Sequence, residues 1–278
     1  MRPLQWSKNL FVFVGLVFTD NWQSMPRVIA AFAAYCLISS GVYLVNDVRD
    51  RDRDRVHPEK RRRPIARGDL TPTTAIIAGA LFASLGVSGA SALGPRSALT
   101  AVAFLTLQLA YTLFLKTVVL VDVFTIAMAF VLRVTAGAAA INVPVSEWLL
   151  ICTLQLALFL GFGKRRNELV TLSDDAGAHR IALEQYSIAF LDQMISIILG
   201  SLIVSYAVYS AASPTAAAHP GMVATLPFVI YGVFRYLYVI HIQRLGGSPE
   251  TVLVKDRPLQ IALAAWLITV IAAFHLRW

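Results

Sequence analysis

The chain has 278 residues, of which 57% are apolar and 14% charged. A soluble domain carries roughly 45–50% apolar and about 25% charged residues, so this composition excludes an ordinary soluble fold and points to an all-α, polytopic membrane protein. The formal charge of +8 sits between apolar spans, which argues against nucleic acid and for an anionic ligand or lipid face at the membrane surface.

A bilayer core of about 30 Å takes roughly 20 helical residues per crossing. Nine apolar segments meet or approach that length: 3–19, 26–47, 71–93, 96–115, 118–141, 146–163, 190–212, 224–242 and 258–276. The first is the shortest, because its apolar stretch runs only from Leu10 to Phe18 behind Arg2 and Lys8. That pattern also suits a signal peptide, but no small-x-small site follows in Thr19-Asp20-Asn21-Trp22, so a retained helix is expected. Cys36 and Cys152 lie in separate apolar runs, and neither a disulfide nor a thiolate zinc site is expected. The reading is one transmembrane domain over 1–278.

Charge placement sets the orientation. Nineteen of the 24 Lys and Arg fall on one side: Arg2, Lys8, nine in 48–70, Lys116, four in 164–180, Arg244, Lys255 and Arg257. The other side has Arg27, Arg96 and Arg277, while Arg133 and Arg235 lie within spans. Basic residues accumulate on cytoplasmic loops, so the amino terminus is expected inside and, with nine crossings, the carboxyl terminus outside. The longer polar loops share that cytoplasmic face, and the chemistry is expected there.

Asn46, Asp47, Asp50 and Asp54 form N-D-x-x-D-x-x-x-D at the end of the second span. At about 100° per helical residue the three aspartates fall within an arc of about 60°, with Asp52 opposite. Carboxylates on one stripe repel unless a cation bridges them, and hard oxygen donors suit Mg²⁺, which takes one or two carboxylates and completes its shell with water and phosphate. The alternative is a solvated charge run, since Arg49, Arg51, Arg53 and Arg55 alternate with the acids; the helix-end position favours the metal. Directly downstream, His57-Pro58-Glu59-Lys60-Arg61-Arg62-Arg63-Pro64-Ile65-Ala66-Arg67-Gly68 can anchor anionic lipid or hold phosphate oxygens that the metal leaves over.

The nine spans, the aspartate motif, Arg63-Pro64 and Gly68, Tyr111 to Lys116, Asp122, and Leu132-Arg133-Val134-Thr135-Ala136-Gly137 together resemble the UbiA superfamily of intramembrane prenyltransferases. The resemblance implies a UbiA-like helical bundle with Mg²⁺-diphosphate at its cytoplasmic mouth and an isoprenoid chain in a lateral opening. Within that superfamily four features are similar to the decaprenyl-phosphate phosphoribosyltransferase branch. They are Arg2-Pro3-Leu4-Gln5-Trp6-Ser7-Lys8-Asn9, His57-Pro58 to Lys60 ahead of Arg63, Gly163-Lys164-Arg165-Arg166-Asn167-Glu168-Leu169, and Gly247-Ser248-Pro249-Glu250 followed by Asp256-Arg257-Pro258-Leu259-Gln260. The superfamily's second D-x-x-x-D, after helix six, is absent; Glu168, Asp174 and Asp175 stand at other spacings.

The branch resemblance implies transfer of 5-phosphoribose from phosphoribosyl diphosphate to a polyprenyl phosphate, with Mg²⁺ (or Mn²⁺), feeding cell-envelope glycan synthesis. It implies metal ligation by Asn46, Asp47, Asp50 and Asp54, and catalytic roles for Asp47, Asp50, Asp54, Lys164 and Glu168. It also implies substrate contacts from Lys8, Asn9, Asn46, Lys60, Arg63, Arg67, Tyr111, Lys116, Arg133, Lys164, Arg165, Tyr186, Asp256 and Arg257. Lys60, Arg63, Lys164 and Arg165 are assigned to the phosphates of the donor, and Lys8 and Lys116 to the path of the acceptor phosphate. A phosphate acceptor is already anionic and needs no general base. His57, the single histidine near the cluster, is read as structural more readily than as a base.

Leu169 to Asp175 faintly resembles the ribose motif of soluble phosphoribosyltransferases, but that motif follows a strand and none is expected here. No H-E-x-x-H, C-x-x-C, G-x-S-x-G or G-K-[ST] occurs. Two other readings remain: an aromatic prenyltransferase using a prenyl diphosphate, and a transporter with Asp122, Arg133 and Arg235 lining a path. The one-sided polarity and the lack of a visible inverted repeat count against the transporter.

Overall fold

The structure, a computed structural model, describes residues 3–17, 21–56, 60–172, 183, 185–243 and 249–275. All of the regular structure among them is helical, and a helical segment stands at each of the nine expected positions. Seven helices are long and apolar enough to cross a bilayer: Trp22–Arg49, Pro72–Ser91, Val121–Ala140, Glu147–Thr171, Ile188–Ala212, Pro220–His241 and Arg257–His275. The chain divides into two compact units, residues 1–146 with 178–182, and residues 147–177 with 183–278.

The first unit begins with a 3₁₀ helix, Pro3–Phe13, that runs into one α-helical turn, α1 (Val14–Val17). It continues through α2 (Met25–Arg49), α3 (Arg51–Val56), a 3₁₀ turn at Lys60–Arg62, α4 (Pro64–Arg67), α5 (Pro72–Ser91), α6 (Pro95–Leu113), a 3₁₀ turn at Leu115–Thr117, and α7 (Val121–Ala140). Local sequence sets several starts. Thr71 accepts a hydrogen bond from the Thr74 amide with Pro72 behind it, and Pro95 opens α6 after Gly94 at φ 132°.

Backbones approach closely where small residues meet. A Cβ on Gly41 would stand 2.5 Å from the Gly79 carbonyl oxygen, and one on Gly86 2.6 Å from that of Ala34, so α2 and α5 pack almost backbone to backbone. The outer face of α5 exposes Ile76, Ile77, Leu81 and Leu85, as a lipid-facing helix does. At the far end of α2, Arg27 donates from Nε to the Ala140 carbonyl and from Nη2 to the Leu93 carbonyl, both at 2.7 Å. This one side chain therefore ties the end of α7 to the loop after α5.

The long 3₁₀ run is unusual, since such helices rarely exceed four residues. Its packing explains it. Trp6 Nε1 donates to Ser40 Oγ (3.2 Å) and Asn9 Nδ2 to Cys36 Sγ (3.3 Å) on α2. On α7, Arg133 Nε donates to Asn9 Oδ1 (2.8 Å), and Gly137 lies against the Val12 backbone. Three 3₁₀ residues and four α-helical residues both rise about 6.0 Å. The 6-9-12 stripe therefore stays in step with 40-36 on α2 and with 133-137 on α7.

The second unit contains α8 (Glu147–Leu172), α9 (Ile188–Ala212), α10 (Pro214–Ala218), a 3₁₀ turn at Pro220–Thr225, α11 (Leu226–His241), α12 (Pro249–Lys255) and α13 (Arg257–His275). Ser187 and Ser213 cap α9 and α10 through the Phe190 and Ala216 amides. A buried chain of polar groups, Trp266 Nε1 to Tyr206 Oη (2.7 Å) and Tyr206 to Thr225 Oγ1 (2.8 Å), crosses the core around Tyr209 and Met222. Both cysteines are free.

Candidate functional site

Asp47 lies in the last turn of α2, and its side chain is largely buried. The helix breaks at Asp50, which caps it at φ −91°, ψ 5°, and α3 then carries Asp54, 3% exposed. The break divides the aspartate stripe. Arg63 Nη1 donates to Asp54 Oδ2 at 2.6 Å and to Asp47 Oδ1 at 3.3 Å. Lys116 Nζ donates to Asp50 Oδ1 at 2.6 Å and to Asn46 Oδ1 at 3.1 Å. The four expected ligands thus form two pairs of oxygens, each pair converging on one cationic nitrogen. Asp52 is turned outward, its side chain 93% exposed and paired with Arg55 at 3.6 Å.

Local folding brings the cations there. Arg55 Nε donates to the Ala66 carbonyl, holding α4 against α3, and Arg63 stands extended at the amino end of α4. Gly68, at φ 95°, ends α4 in the left-handed conformation that favours glycine. Lys116 rides on the 3₁₀ turn before α7. That segment closes at Leu120, whose φ of 66° and ψ of −47° with a Val121 amide to Val119 carbonyl bond (2.8 Å) make a γ-turn of the strained kind. Asp122, fully buried, follows in the first turn of α7.

The donor set fits a hard divalent ion. All four donors are oxygens, and two protein oxygens aimed at one cation are the share of a Mg²⁺ shell that proteins commonly supply, water and phosphate making up the rest. Among the described residues no group of three or more His, Cys, Asp or Glu is arranged to hold a metal ion. A single ion bridging the whole Asp47-Asp50-Asp54 stripe is therefore not the arrangement found.

Other expected site residues take different positions. Arg67 is two-thirds exposed and turns to Asp69, which holds its guanidinium pKa above the ordinary value. Asn9 and Arg133 are buried in the helix core, where Arg133 also donates to the Ala129 carbonyl (2.9 Å) and lies 4.6 Å from the Phe104 ring centre. Ser39, which donates to Asn9, precedes Asp47 by eight residues, so this group sits about 12 Å deeper along α2. Lys8, Lys60 and Tyr111 are half-buried in the same unit.

In the second unit Lys164 is exposed, while Arg165 is 1% exposed and donates to Glu168 at 2.5 Å. Tyr186 is buried and stacks on Phe190. Asp256 accepts from Arg235 at 2.8 Å and from the Leu259 amide at 2.9 Å, capping α13; the Arg235 guanidinium keeps its carboxyl below the usual range. Arg257 is exposed. The sequence reading did not select Arg27, the ion pair of Arg166 with Asp192, or the pairing of Arg235 with Asp256. An acid in or just ahead of a later span is a weak signal when the separation is 21 to 26 residues. Arg2, His57, Pro58, Glu59, Asp174, Asp175, Gly247 and Ser248 lie outside the described residues.

Residues 9–253 match the UbiA prenyltransferase family. The chain is 34% identical over 280 residues to the decaprenyl-phosphate phosphoribosyltransferase of Mycobacterium tuberculosis, covering 98% of this chain and 92% of that protein. To the protein of the same name in Corynebacterium glutamicum it is 31% identical over 286 residues, covering 99% and 86%. Its fold is similar to that of a UbiA homolog from Archaeoglobus fulgidus bound to GPP and Mg²⁺, with a TM-score of 0.75, 19% identity, and 98% and 97% of the two chains covered.

Proposed function

This chain belongs to the UbiA prenyltransferase family and is a membrane-embedded transferase; from that premise we propose that it moves 5-phosphoribose from phosphoribosyl diphosphate to a decaprenyl-type polyprenyl phosphate. The bond from ribose C1 to the diphosphate oxygen breaks, a bond from C1 to the lipid phosphate oxygen forms, and diphosphate leaves. The product is a lipid-linked phosphoribose for cell-envelope glycan assembly. The observation that carries this reading is the cluster at the end of α2, where oxygens for a metal and cations for phosphate stand together. The names of the relatives support the ribosyl donor and the polyprenyl acceptor.

Asn46, Asp47, Asp50 and Asp54 are the residues that would hold Mg²⁺, or Mn²⁺ in its place, and such an ion would supply positive charge for the diphosphate leaving group. Arg63 grips phosphate oxygens with its planar fork, and Lys116 acts as a point charge. Lys60 adds a further phosphate contact, and within the second unit Glu168 orients Arg165. A phosphate monoester loses its second proton near pH 6, so the acceptor is an anionic nucleophile without help from a base.

We also place nine crossings, with the amino terminus and the aspartates cytoplasmic and the carboxyl terminus outside. The 3₁₀ form is what permits the first: Pro3 to Val17 spans about 28 Å, close to the hydrocarbon thickness, where an α-helix of the same length would span about 22 Å. At 19 residues α6 also reaches about 28 Å, although Ser97, Thr100, Gln108 and Thr112 make it less apolar. The family match crosses both compact units, which supports reading 1–278 as a single UbiA-like domain.

The test is incubation of the purified chain with polyprenyl phosphate and phosphoribosyl diphosphate, and separately with prenyl diphosphate and 4-hydroxybenzoate. Mass spectrometry is expected to find phosphoribosyl lipid in the first mixture. Product in the second alone would overturn the branch assignment.

A further inference from the structure

We propose that Arg63 and Lys116 compete with the divalent cation for the aspartate oxygens, so that metal binds tightly only together with a diphosphate. The inference rests on the proposed role of these aspartates in metal binding. Arg63 Nη1 stands 2.6 and 3.3 Å from the facing oxygens of Asp54 and Asp47, and Lys116 Nζ stands 2.6 and 3.1 Å from those of Asp50 and Asn46. A Mg²⁺ ion sits about 2.0–2.1 Å from its oxygen ligands. A metal ion taking these same oxygens would contend with the nitrogen already held on them, since two like charges cannot share them at such short range. Metal entry at these oxygens therefore displaces the cation held there.

Leaving is unfavourable without a replacement partner. The side chains of Lys116 and Arg63 are 12% and 24% exposed, so neither regains much water where it stands. For Arg63, leaving Asp54 and Asp47 gives up a close charge pairing that water at that depth restores only in part. A diphosphate answers both demands: its oxygens complete the metal shell, and its charge gives the displaced guanidinium and ammonium new partners. The two cations thus couple metal and diphosphate beyond direct coordination, and by linkage each ligand tightens the other by the same factor.

The experiment measures Mn²⁺ binding to the purified full chain by electron paramagnetic resonance, with and without inorganic pyrophosphate. Arg63→Met and Lys116→Met act on separate oxygen pairs, so either variant that folds tests the idea. Each is expected to bind Mn²⁺ alone about 10-fold more tightly than wild type, and to show a correspondingly smaller tightening by pyrophosphate. Mn²⁺ affinity that is unchanged or weakened in the variants, with pyrophosphate enhancement intact, would overturn the competition and leave the metal site standing. Binding that Asp47→Asn and Asp54→Asn do not diminish, even with pyrophosphate present, would overturn the metal reading and this inference together.

Discussion

Replacing Gly137 by alanine tests whether the first segment is held by the close approach that its 3₁₀ form makes possible. The new Cβ would stand 1.8 Å from the Val12 carbonyl oxygen, whereas ordinary contact begins at 3.4 Å, so relief needs the two backbones to part by about 1.6 Å. Parting on that scale also breaks the 2.8 Å bond from Arg133 to Asn9. Overpacking costs about 1–3 kcal/mol, and loss of a buried charge-assisted bond adds about 1.5–3 kcal/mol, giving roughly 2.5–6 kcal/mol in all. Cys36 reports the event, because its thiol is buried beneath Asn9. In a Cys152→Ala background, maleimide labelling of Cys36 should accelerate about 100-fold or more if labelling follows opening of the first segment. Gly200→Ala is the control: nothing lies near its added methyl, and a mid-helix alanine should stabilise by about 0.5–1 kcal/mol. Should Gly137→Ala label as slowly as its parent, the close-approach argument is wrong.

Asp50→Asn should cut turnover by orders of magnitude and Asp52→Asn by no more than about fivefold, since exposed pairs contribute about 0–1 kcal/mol; equal losses in a lipid-product assay would contradict the one-sided site. Accessibility labelling of single introduced cysteines should find 48–70 and 164–189 cytoplasmic and the carboxyl terminus outside, and a cytoplasmic carboxyl terminus would remove one of the nine crossings. The depressed carboxyl pKa of Asp256 contributes stability above its unfolded value of 3.8 that disappears as pH falls through the lower folded value. Thermal unfolding from pH 6 to pH 3 should therefore lose an increment in wild type that Asp256→Asn lacks; identical profiles would discount the Arg235 pairing.

Much of the site was legible because helical periodicity and charge placement survive folding. The outward turn of Asp52 and the presence of Arg63 beside the aspartates follow from residue type and position, whereas Lys116, expected on the path of the acceptor phosphate, stands on Asp50 and Asn46. The division of the stripe was not legible: the 100° arithmetic assumes an unbroken helix, and nothing in Val48-Arg49-Asp50-Arg51 announces the break at Asp50. Arg67 lies one helical turn beyond Arg63, yet the left-handed Gly68 brings Asp69 within its reach, a local competitor that composition does not reveal. The helix type of the first segment was equally hidden, because a 3₁₀ run of eleven residues is set by its packing on α2 and α7 rather than by local propensity. Gly137 resembled part of a functional motif, and its visible role is to admit the Val12 backbone.

The 3₁₀ segment and its two α-helical neighbours behave as a vernier. Their scales coincide only at steps of about 6 Å, so the first segment can rest in one notch or the next but not between. A one-residue deletion between Trp6 and Val12 would turn the stripe by about 120° and shift it by about 2 Å, missing every mark at once. Lys8 stands one residue from the keyed Asn9. Its height in the bilayer is consequently set by a ruler built into the helix core, independent of whatever its ammonium group holds.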